Sequence, residues 1–392
     1  MSSSAYSRKT LKLSQQRGQH IPTFVLLALL LMKICISYQY VKPNFDHWRR
    51  MLRVVENVDK YSKLLPLNTI DELPPPFERF IDLLRNYQNP PYIVFFDQSN
   101  YDVTLNFICN LQYFDVKERL VAISFDALAE KALNEAYPEI TTVTVDFTYV
   151  SSLLSTDLEN RNYLIYQLIL LLRSRISAAL ARNKIDFWAV QQDSLWINNV
   201  ANLNLEDMYS NSYMMFDIVG NDHIPIYERM KGWICGSTYF VRGNDITADF
   251  FDKVALFMTR RLSPDSAIMT YLCGRKYYKC AKLPRRIASS SDYFLGSRNF
   301  LPAMLQIDHR SKISKMDLFR ANNFNFLLND GSCNYTAVQK LRHTVPIALR
   351  EVRLQQFEEN NKLEDIFYFF KENFGLDPFN NRRFLHVHDT LV

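Results

Sequence analysis

The strongest constraint on the fold is a regular alternation of short apolar runs with longer segments of helical spacing. The apolar runs are YIVFFD (92–97), RLVAISF (119–125) and TTVTVDF (141–147). Their length and their β-branched and aromatic content are typical of buried strands. Residues 101–114 and 126–138 lie between them and have apolar side chains at helical spacing. The alternation predicts βαβ units with a parallel sheet, at the start of a doubly wound α/β fold.

The longest helical pattern covers residues 157–183 and leads into a further strand, DFWAV (186–190). Its apolar run ends at Arg173, well short of the roughly 20 residues that span a bilayer, so we predict a buried core helix. The strand after it ends just before Asp193. Because ligands of open α/β sheets bind beyond the carboxyl ends of the strands, Asp193 is expected at a ligand-binding edge.

The first forty residues indicate a membrane anchor. Residues 1–20 contain basic side chains and no acidic ones, and residues 21–38 (IPTFVLLALLLMKICISY) are mostly apolar. Because positive charge before a span stays in the cytoplasm, we predict a cytoplasmic tail (1–20) and a signal-anchor transmembrane helix (21–38). A cleaved signal peptide and a buried helix are the alternatives. A proline-interrupted stem (39–91) and a lumenal domain (92–392) would follow.

The cysteines agree with a lumenal domain. The six cysteines show no CxxC or Cys/His metal spacing. In an oxidising lumen the five beyond residue 38 could form up to two disulfides, whose pairing the sequence does not reveal. Asn334-Tyr335-Thr336 is an N-glycosylation sequon, which is usable only in an exposed lumenal segment.

Charge and motifs narrow the class of ligand. The net charge of +5 over 392 residues is a mild excess, which suggests local anion binding and argues against nucleic acid as a partner. A phosphate-bearing small molecule fits this balance. The sequence has no GxSxG, P-loop or GxGxxG motif, which argues against the enzyme classes that depend on them.

The motif that carries most chemistry is FWAVQQDSLWINN (187–199). A strand that ends in Asp-x-Asp is typical of GT-A transferases, in which carboxylates hold a divalent cation that neutralises the diphosphate leaving group. Here Gln191 takes the first acidic position and Asp193 the second. At this point the chain resembles the nucleotide-diphospho-sugar transferase family with a rhamnogalacturonan xylosyltransferase-like domain, well represented among nematode proteins.

Three other parts of the chain extend the resemblance to about residues 92–330. They are a helix with an Asn-aromatic-x-Cys pattern, an Asp-Ile strand followed by a Gly-plus-aromatic strand, and an acidic helix start. The matching residues are Asn106, Cys109, Asp217, Gly236, Tyr239 and Asp265. The order and spacing of these segments carry the resemblance more than any one of them.

The resemblance implies a GT-A-like, doubly wound mixed α/β sheet and a site for a nucleotide sugar. The residues it implies for nucleotide-sugar and diphosphate binding are Gln191, Asp193, Asp217 and Gly236. It also implies Mn²⁺ or Mg²⁺ on Asp193, with His309 as a further ligand and Asp308 as the next candidate. Gln191 departs from the family pattern, because an amide supplies no charge and should lower the affinity for a cation. No catalytic residue is identified.

Each of these residues also has an interpretation without a ligand. Asp193 could cap the following turn, and Asp217 and Asp222 could merely end a strand. Trp196 is expected to pack beneath the loop rather than to stack on a base. His309 could be a surface side chain in a polar loop. The basic segment GRKYYKCAKLPRR (274–286) could grip a diphosphate or an anionic glycan, or it could be a solvated edge strand.

Together these features predict a glycosyltransferase of the Golgi membrane, single-pass and type II, with its catalytic domain in the lumen. It would move a sugar from a nucleotide sugar to a glycan or glycoprotein acceptor. The alternative is a catalytically impaired pseudoenzyme or glycan-binding protein that keeps the fold, and Gln191 is the residue in its favour.

Overall fold

The computed structural model describes most of residues 52–343. The described ranges are 52–68, 73–114, 116–158, 160–218, 233–261, 263–275, 277–289, 302–307, 314–341 and 343. Internal contacts group the chain into two units, 1–54 and 55–392, and nearly every described residue belongs to the second. The predicted tail and signal anchor lie outside the described residues.

Ten strands occur in the described part of the chain. They are β1 (Tyr92–Phe96), β2 (Leu120–Ser124), β3 (Thr141–Thr144), β4 (Phe187–Val190), β5 (Ser194–Trp196), β6 (Met214–Ile218), β7 (Ile234–Val241), β8 (Cys280–Lys282), β9 (Ala288–Ser289) and β10 (Met304–Gln306).

Ten α-helices with defined ends accompany these strands in the same ranges. They are α1 (Pro75–Leu84), α2 (Tyr101–Gln112), α3 (Ala127–Ala136), α4 (Thr148–Ser152), α5 (Arg161–Arg182), α6 (Leu205–Met208), α7 (Asp245–Arg260), α8 (Asp265–Gly274), α9 (Lys315–Ala321) and α10 (Tyr335–Gln339). Residues 52–62 are also largely helical, and short 3₁₀ turns precede α2, β2 and α6.

Seven of the described strands form one mixed sheet in the order β3-β2-β1-β4-β7-β6-β8. Strands β3, β2, β1 and β4 are parallel, β7 is antiparallel to both of its neighbours, and β6 runs parallel to β8. The three predicted strands of residues 92–147 and the helices between them are therefore confirmed. The side chains of β1, β2 and β4 are all buried, as expected for parallel strands covered on both faces.

Helices cover both faces of this sheet. On one face, Phe216 and Tyr239 of the sheet contact Phe250 and Phe251 of α7, with ring centroids 5.9 and 5.6 Å apart. On the other face, apolar residues of α2 and α3 pack in one cluster with Trp188 and Phe240. The predicted α/β class with a doubly covered mixed sheet is confirmed.

Helix α5 is the one helix among the described residues that is long and apolar enough to cross a membrane. In its apolar window, 78% of the residues are buried inside the protein. The hydroxyl groups of Ser177 in α5 and Tyr239 in β7 are 3.0 Å apart, so the helix lies against the sheet. The prediction of a core helix is confirmed.

A part of the predicted stem packs onto the domain. Phe77, Phe80, Ile81 and Leu84 of α1 are buried. The hydroxyl of Tyr87 donates to the hydroxyl of Thr141 in β3, at 3.3 Å. The boundary between stem and domain near residue 91 stays a prediction.

A second, three-stranded sheet has the order β5-β10-β9. Strand β10 pairs antiparallel with β5, so that Gln306 lies opposite Ser194. This pairing brings the chain after residue 303 back to the end of β4. It is the feature of the fold that completes the candidate site.

Candidate functional site

The carboxyl ends of the parallel strands meet at one edge of the main sheet, and each is followed by a polar loop. After β1, Asp97 accepts a hydrogen bond from the Asn100 amide (3.1 Å) and caps a 3₁₀ turn. After β2, Asp126 caps α3 through the Ala129 amide (2.7 Å) and also accepts from the Gln98 amide (2.7 Å). Asp126 therefore ties the first two loops of this edge together.

Asp193 lies in the next loop, between β4 and β5, and only 4% of it is exposed. The Nε2 group of Gln306 donates to Oδ1 of Asp193 (2.5 Å) and to Oε1 of Gln191 (2.7 Å). The backbone amide of Ile307 donates to the Asp193 carbonyl (3.0 Å). The structure thus brings the two predicted residues Gln191 and Asp193 together, through a side chain of β10.

Lys315, the first residue of α9, donates a hydrogen bond from Nζ to the other carboxylate oxygen of Asp193, Oδ2. Burial lowers the pKa of Lys315 to about 8, because it disfavours the charged ammonium. The ammonium form therefore prevails near pH 7. Sequence reasoning missed both Lys315 and Gln306, although both lie close in the sequence to His309, which it had singled out.

The described residues around Asp193 do not fit a divalent-cation site. In the described ranges, no group of three or more His, Cys, Asp or Glu side chains could hold a metal ion. Both carboxylate oxygens of Asp193 already accept hydrogen bonds, and Gln191 offers a neutral oxygen that is also engaged. His309 and Asp308 lie outside the described residues, so their predicted part as ligands stays a prediction.

Asp217 and Gly236, the other two predicted site residues, lie together where β6 and β7 shift register. The Asp217 carboxylate accepts hydrogen bonds from the amides of Gly236 (3.0 Å) and Thr238 (3.2 Å) and from the Ser237 hydroxyl. Burial raises the pKa of Asp217 to about 6, although these three donors favour its charged form. Asp217 therefore organises the irregular backbone of β7; Asp222 lies outside the described residues.

Gly236 has a backbone conformation that favours glycine, with φ at +75°. A Cβ atom at this position would lie 3.2 Å from the Cβ of Ser266 in α8. Glycine is thus required both by the positive φ and by the close approach of a helix. Whether Gly236 and Asp217 also contact a ligand stays a prediction.

A buried ion pair holds the part of β7 around Gly236 in place. Arg173 of α5 donates from Nη2 to the Asp265 carboxylate and to the Gly236 carbonyl, both at 2.6 Å. Burial disfavours the charged form of Arg173, but the Asp265 carboxylate outweighs it, so the pKa of Arg173 is raised. Sequence reasoning noted Arg173 only as the end of an apolar run.

Trp196 belongs to the core, as predicted. It is fully buried and meets the ring of Tyr92 edge to face, with centroids 5.1 Å apart. The Asn110 side chain accepts from the Trp196 amide (2.7 Å) and donates to its carbonyl (3.1 Å). This amide clamp holds β5, and with it the loop of Asp193, against α2.

The Asn-aromatic-x-Cys pattern of α2 serves to attach the C-terminal part of the domain. The Asn106 side chain accepts from the Phe326 amide (2.6 Å) and donates to the Phe324 carbonyl (3.1 Å). Cys109, on the next turn, forms a disulfide with Cys333. A second disulfide joins Cys273 and Cys280.

The basic segment 274–286 contains β8, which is one of the two edge strands of the seven-stranded sheet. The edge-strand interpretation is therefore confirmed. Lys279 lies over the Tyr213 ring, with Nζ 5.1 Å from the centroid. Diphosphate binding by this segment stays a prediction.

The family model for nucleotide-diphospho-sugar transferases matches residues 116–319, just over half of the chain. The chain therefore belongs to the nucleotide-diphospho-sugar transferase family, a family of nucleotide-sugar-dependent glycosyltransferases. The matched range runs from before β2 into α9 and contains Asp193, Asp217, Gly236 and Lys315. Family membership and the mixed sheet confirm the predicted GT-A-like fold.

The chain is also similar to solved glycosyltransferase structures. The galactosyltransferase LgtC, in complex with donor and acceptor sugar analogs, is 8% identical with a TM-score of 0.42, over 65% of this chain and 95% of that one. Mouse xyloside xylosyltransferase 1 in its apo form is 8% identical with a TM-score of 0.38, over 57% and 99%. The glycosyltransferase GlyE from Streptococcus pneumoniae TIGR4 is 8% identical with a TM-score of 0.41, over 66% and 64%. No match was found among curated proteins.

Proposed function

We propose that this chain transfers a glycosyl group from a nucleoside diphosphate sugar to a glycan or glycoprotein acceptor. The observation that carries the proposal is the cluster of Gln191, Asp193 and Lys315 at the carboxyl end of β4, inside the range that matches the family. Ligands of α/β sheets bind at this edge. The loops after β1 and β2 lie along the same edge and would take the nucleoside.

In the transfer one bond breaks and another forms, and the site must stabilise the diphosphate that leaves. The bond between C1 of the sugar and the diphosphate must break as the acceptor oxygen bonds to C1, and the diphosphate leaves with the electron pair. Groups that are preorganised around the leaving diphosphate lower the barrier most, since negative charge develops there. The cation at this site is Lys315, which is paired with Asp193, and Asp193 is in turn hydrogen-bonded to Gln306 and to the backbone of Ile307.

We place the enzyme in the secretory pathway, as a single-pass type II protein of the Golgi membrane anchored by residues 21–38. Two disulfides support this location, because disulfides persist in oxidising compartments. The sequon residue Asn334 is partly exposed, and Thr336 is exposed. Digestion with a glycosidase that removes N-linked glycans should lower the apparent mass of the wild-type chain and leave that of Asn334→Gln unchanged.

The test of the activity is a panel of UDP, GDP and CMP sugars with the full-length chain purified from a secretory host. Release of one nucleotide in the presence of an acceptor glycan is expected. The matching nucleotide at 100 times its dissociation constant should stabilise the fold by about 2.7 kcal/mol, which raises the melting temperature by a few degrees.

Asp193→Ala should abolish the transfer while the protein still melts cooperatively. Asp82→Ala is the matched control, since the Asp82 side chain is 61% exposed and lies in α1, outside the site. Full turnover by Asp193→Ala would refute the assignment of the site.

The second candidate is a pseudoenzyme that binds glycans without transferring sugar. The neutral Gln191 and the already paired Asp193 favour it, because a family that relies on two carboxylates would lose catalysis there. Glycan binding together with the absence of nucleotide release from every donor would support this candidate over the transferase.

A further inference from the structure

We propose that the ammonium of Lys315 binds the diphosphate of the donor and replaces the divalent cation of transferases that have an Asp-x-Asp pair. The inference rests on the proposed function, because it names the group that holds the leaving diphosphate at the same site. It also explains how a site with Gln191 at the first acidic position can serve a diphosphate.

The charges at the site support this replacement. Asp193 is the one carboxylate among the side chains of the described cluster, and Lys315 already neutralises it. A divalent cation placed beside the same carboxylate would lie next to the ammonium and be repelled by it. Gln191 adds no charge to offset that repulsion, and its oxygen is engaged by Gln306.

The exposure of the two side chains shows which of them a ligand meets. The Lys315 side chain is 37% exposed, whereas that of Asp193 is 5% exposed. The lysine therefore reaches the carboxylate from the solvent side. An ammonium has three donor hydrogens, so Nζ can contact Asp193 and phosphate oxygens together.

Lys315 is also positioned well enough to act as a fixed charge. It begins α9, which Ser314 caps by accepting a hydrogen bond from the Asp317 amide (3.1 Å). Phe319 of the same helix is 1% exposed and packs in a core cluster with Ile307, which follows β10. The buried Asp193 carboxylate acts as a positioning residue, because it accepts a hydrogen bond from Nζ of Lys315.

In the transfer step, the bond between C1 and the diphosphate oxygen breaks and the electron pair stays on the diphosphate. The acceptor hydroxyl oxygen bonds to C1, and its proton passes to water. Lys315 stabilises the added negative charge on the diphosphate by a charge-assisted hydrogen bond and undergoes no net change.

The test measures binding of UDP, GDP and CDP to the full-length chain by calorimetry, once with EDTA and once with MnCl₂. The corresponding nucleosides serve as ligands without a diphosphate. We expect one nucleoside diphosphate to bind equally well in the two buffers. This comparison uses the wild-type chain and does not depend on how any variant folds.

Substitutions then identify the group responsible. Lys315→Gln should weaken binding of that diphosphate about 10- to 100-fold, the loss expected for one charge-assisted hydrogen bond, and leave nucleoside binding unchanged. Lys315→Arg should keep most of the affinity. Lys131→Gln is the control, since the Lys131 side chain is 76% exposed on α3.

For a double variant we expect the opposite dependence on Mn²⁺. Gln191→Asp combined with Lys315→Gln restores two carboxylates and removes the ammonium, so its binding of the diphosphate should require Mn²⁺. If this variant binds the diphosphate equally well with EDTA and with MnCl₂, the result would count against the proposed replacement.

The outcomes separate the two proposals. Wild-type binding that occurs only with MnCl₂ would overturn the role of Lys315 and leave the proposed function intact. If Lys315→Gln binds the nucleoside diphosphate as well as the wild type does, the role of Lys315 would likewise be overturned and the proposed function left intact. The absence of nucleotide binding in both buffers would overturn the proposed function, and with it this inference.

Discussion

The guanidinium of Arg173 lies 2.6 Å from the carboxylate of Asp265, and their side chains are only 6% and 4% exposed. The same Nη2 atom donates to the Gly236 carbonyl. One buried pair therefore ties α5 and the start of α8 to the irregular stretch of β7. Because Asp217 holds that stretch from β6, four elements near the candidate site depend on this pair.

Loss of the arginine should be costly. Arg173→Met leaves the Asp265 carboxylate buried without its partner, which should lower the free energy of unfolding by about 3–5 kcal/mol. Glu135→Gln is the control, because it removes an exposed pair with Lys131 and should change stability by less than about 1 kcal/mol. Urea unfolding measures both, and equal midpoints for the two variants would refute the importance of the buried pair.

Glycine at position 236 should be required for stability. Gly236→Ala places a Cβ 3.2 Å from Ser266 at a φ of +75°, and we expect a loss of about 1–3 kcal/mol. Gly274→Ala, at the end of α8, is the matched control, because no atom lies within 4 Å of the added Cβ and its φ is not in the positive range. Thermal melting should show a lower midpoint for the first variant only; a midpoint at the wild-type value would contradict the requirement.

The long-range disulfide should stabilise the fold more than the short one. Cys109 and Cys333 are 224 residues apart, whereas Cys273 and Cys280 are separated by seven. Since closing a longer loop restricts the unfolded chain more, replacing the first pair by Ala should cost about 2–5 kcal/mol. Removing the second pair should cost less. Denaturant unfolding of the two double variants compares them, and the reverse order would contradict this account.

Asp217 should make stability depend on pH in the direction opposite to a salt-bridged carboxylate. Its pKa is raised to about 6 by burial, so the folded state holds a proton that the unfolded state releases near pH 4. The resulting contribution to stability is fully present below about pH 4 and is lost as pH rises through about 6. It amounts to up to about 3 kcal/mol.

Comparison of the wild type with Asp217→Asn isolates this contribution, because other carboxylates titrate alike in both proteins. Between pH 4 and pH 7 the wild type should lose more stability, or gain less, than the variant. Urea unfolding at several pH values measures the difference. Parallel pH profiles for the two proteins would show that Asp217 titrates at an ordinary pKa.

The strands and helices of residues 92–190 were predictable because the patterns that specify them are local. A run such as YIVFFD buries every side chain in β1, and Asp126 caps α3 through an amide three residues away. The position of Asp193 followed from the same patterns, since a residue just after a parallel strand must lie at the carboxyl edge of the sheet. Family resemblance added the expected chemistry of that edge.

The partners of Asp193 were not predictable in this way. Gln306 and Lys315 are 113 and 122 residues further along the chain, and they reach the carboxylate only because β10 pairs with β5 and α9 follows it. Arg173 and Asp265 meet across 92 residues for a similar reason. The pairing of Cys109 with Cys333 likewise depends on how residues 324–341 lie against α2.

Local sequence thus decided the order of the elements, the α/β class and the edge at which the site lies. These properties depend on periodicity and capping, which act over a few residues. Packing of distant segments decided that Asp193 faces an ammonium, that Asp217 supports a bend of β7 and that Arg173 is paired. Such contacts depend on which surfaces meet once the core has formed, and no short stretch of sequence carries that information.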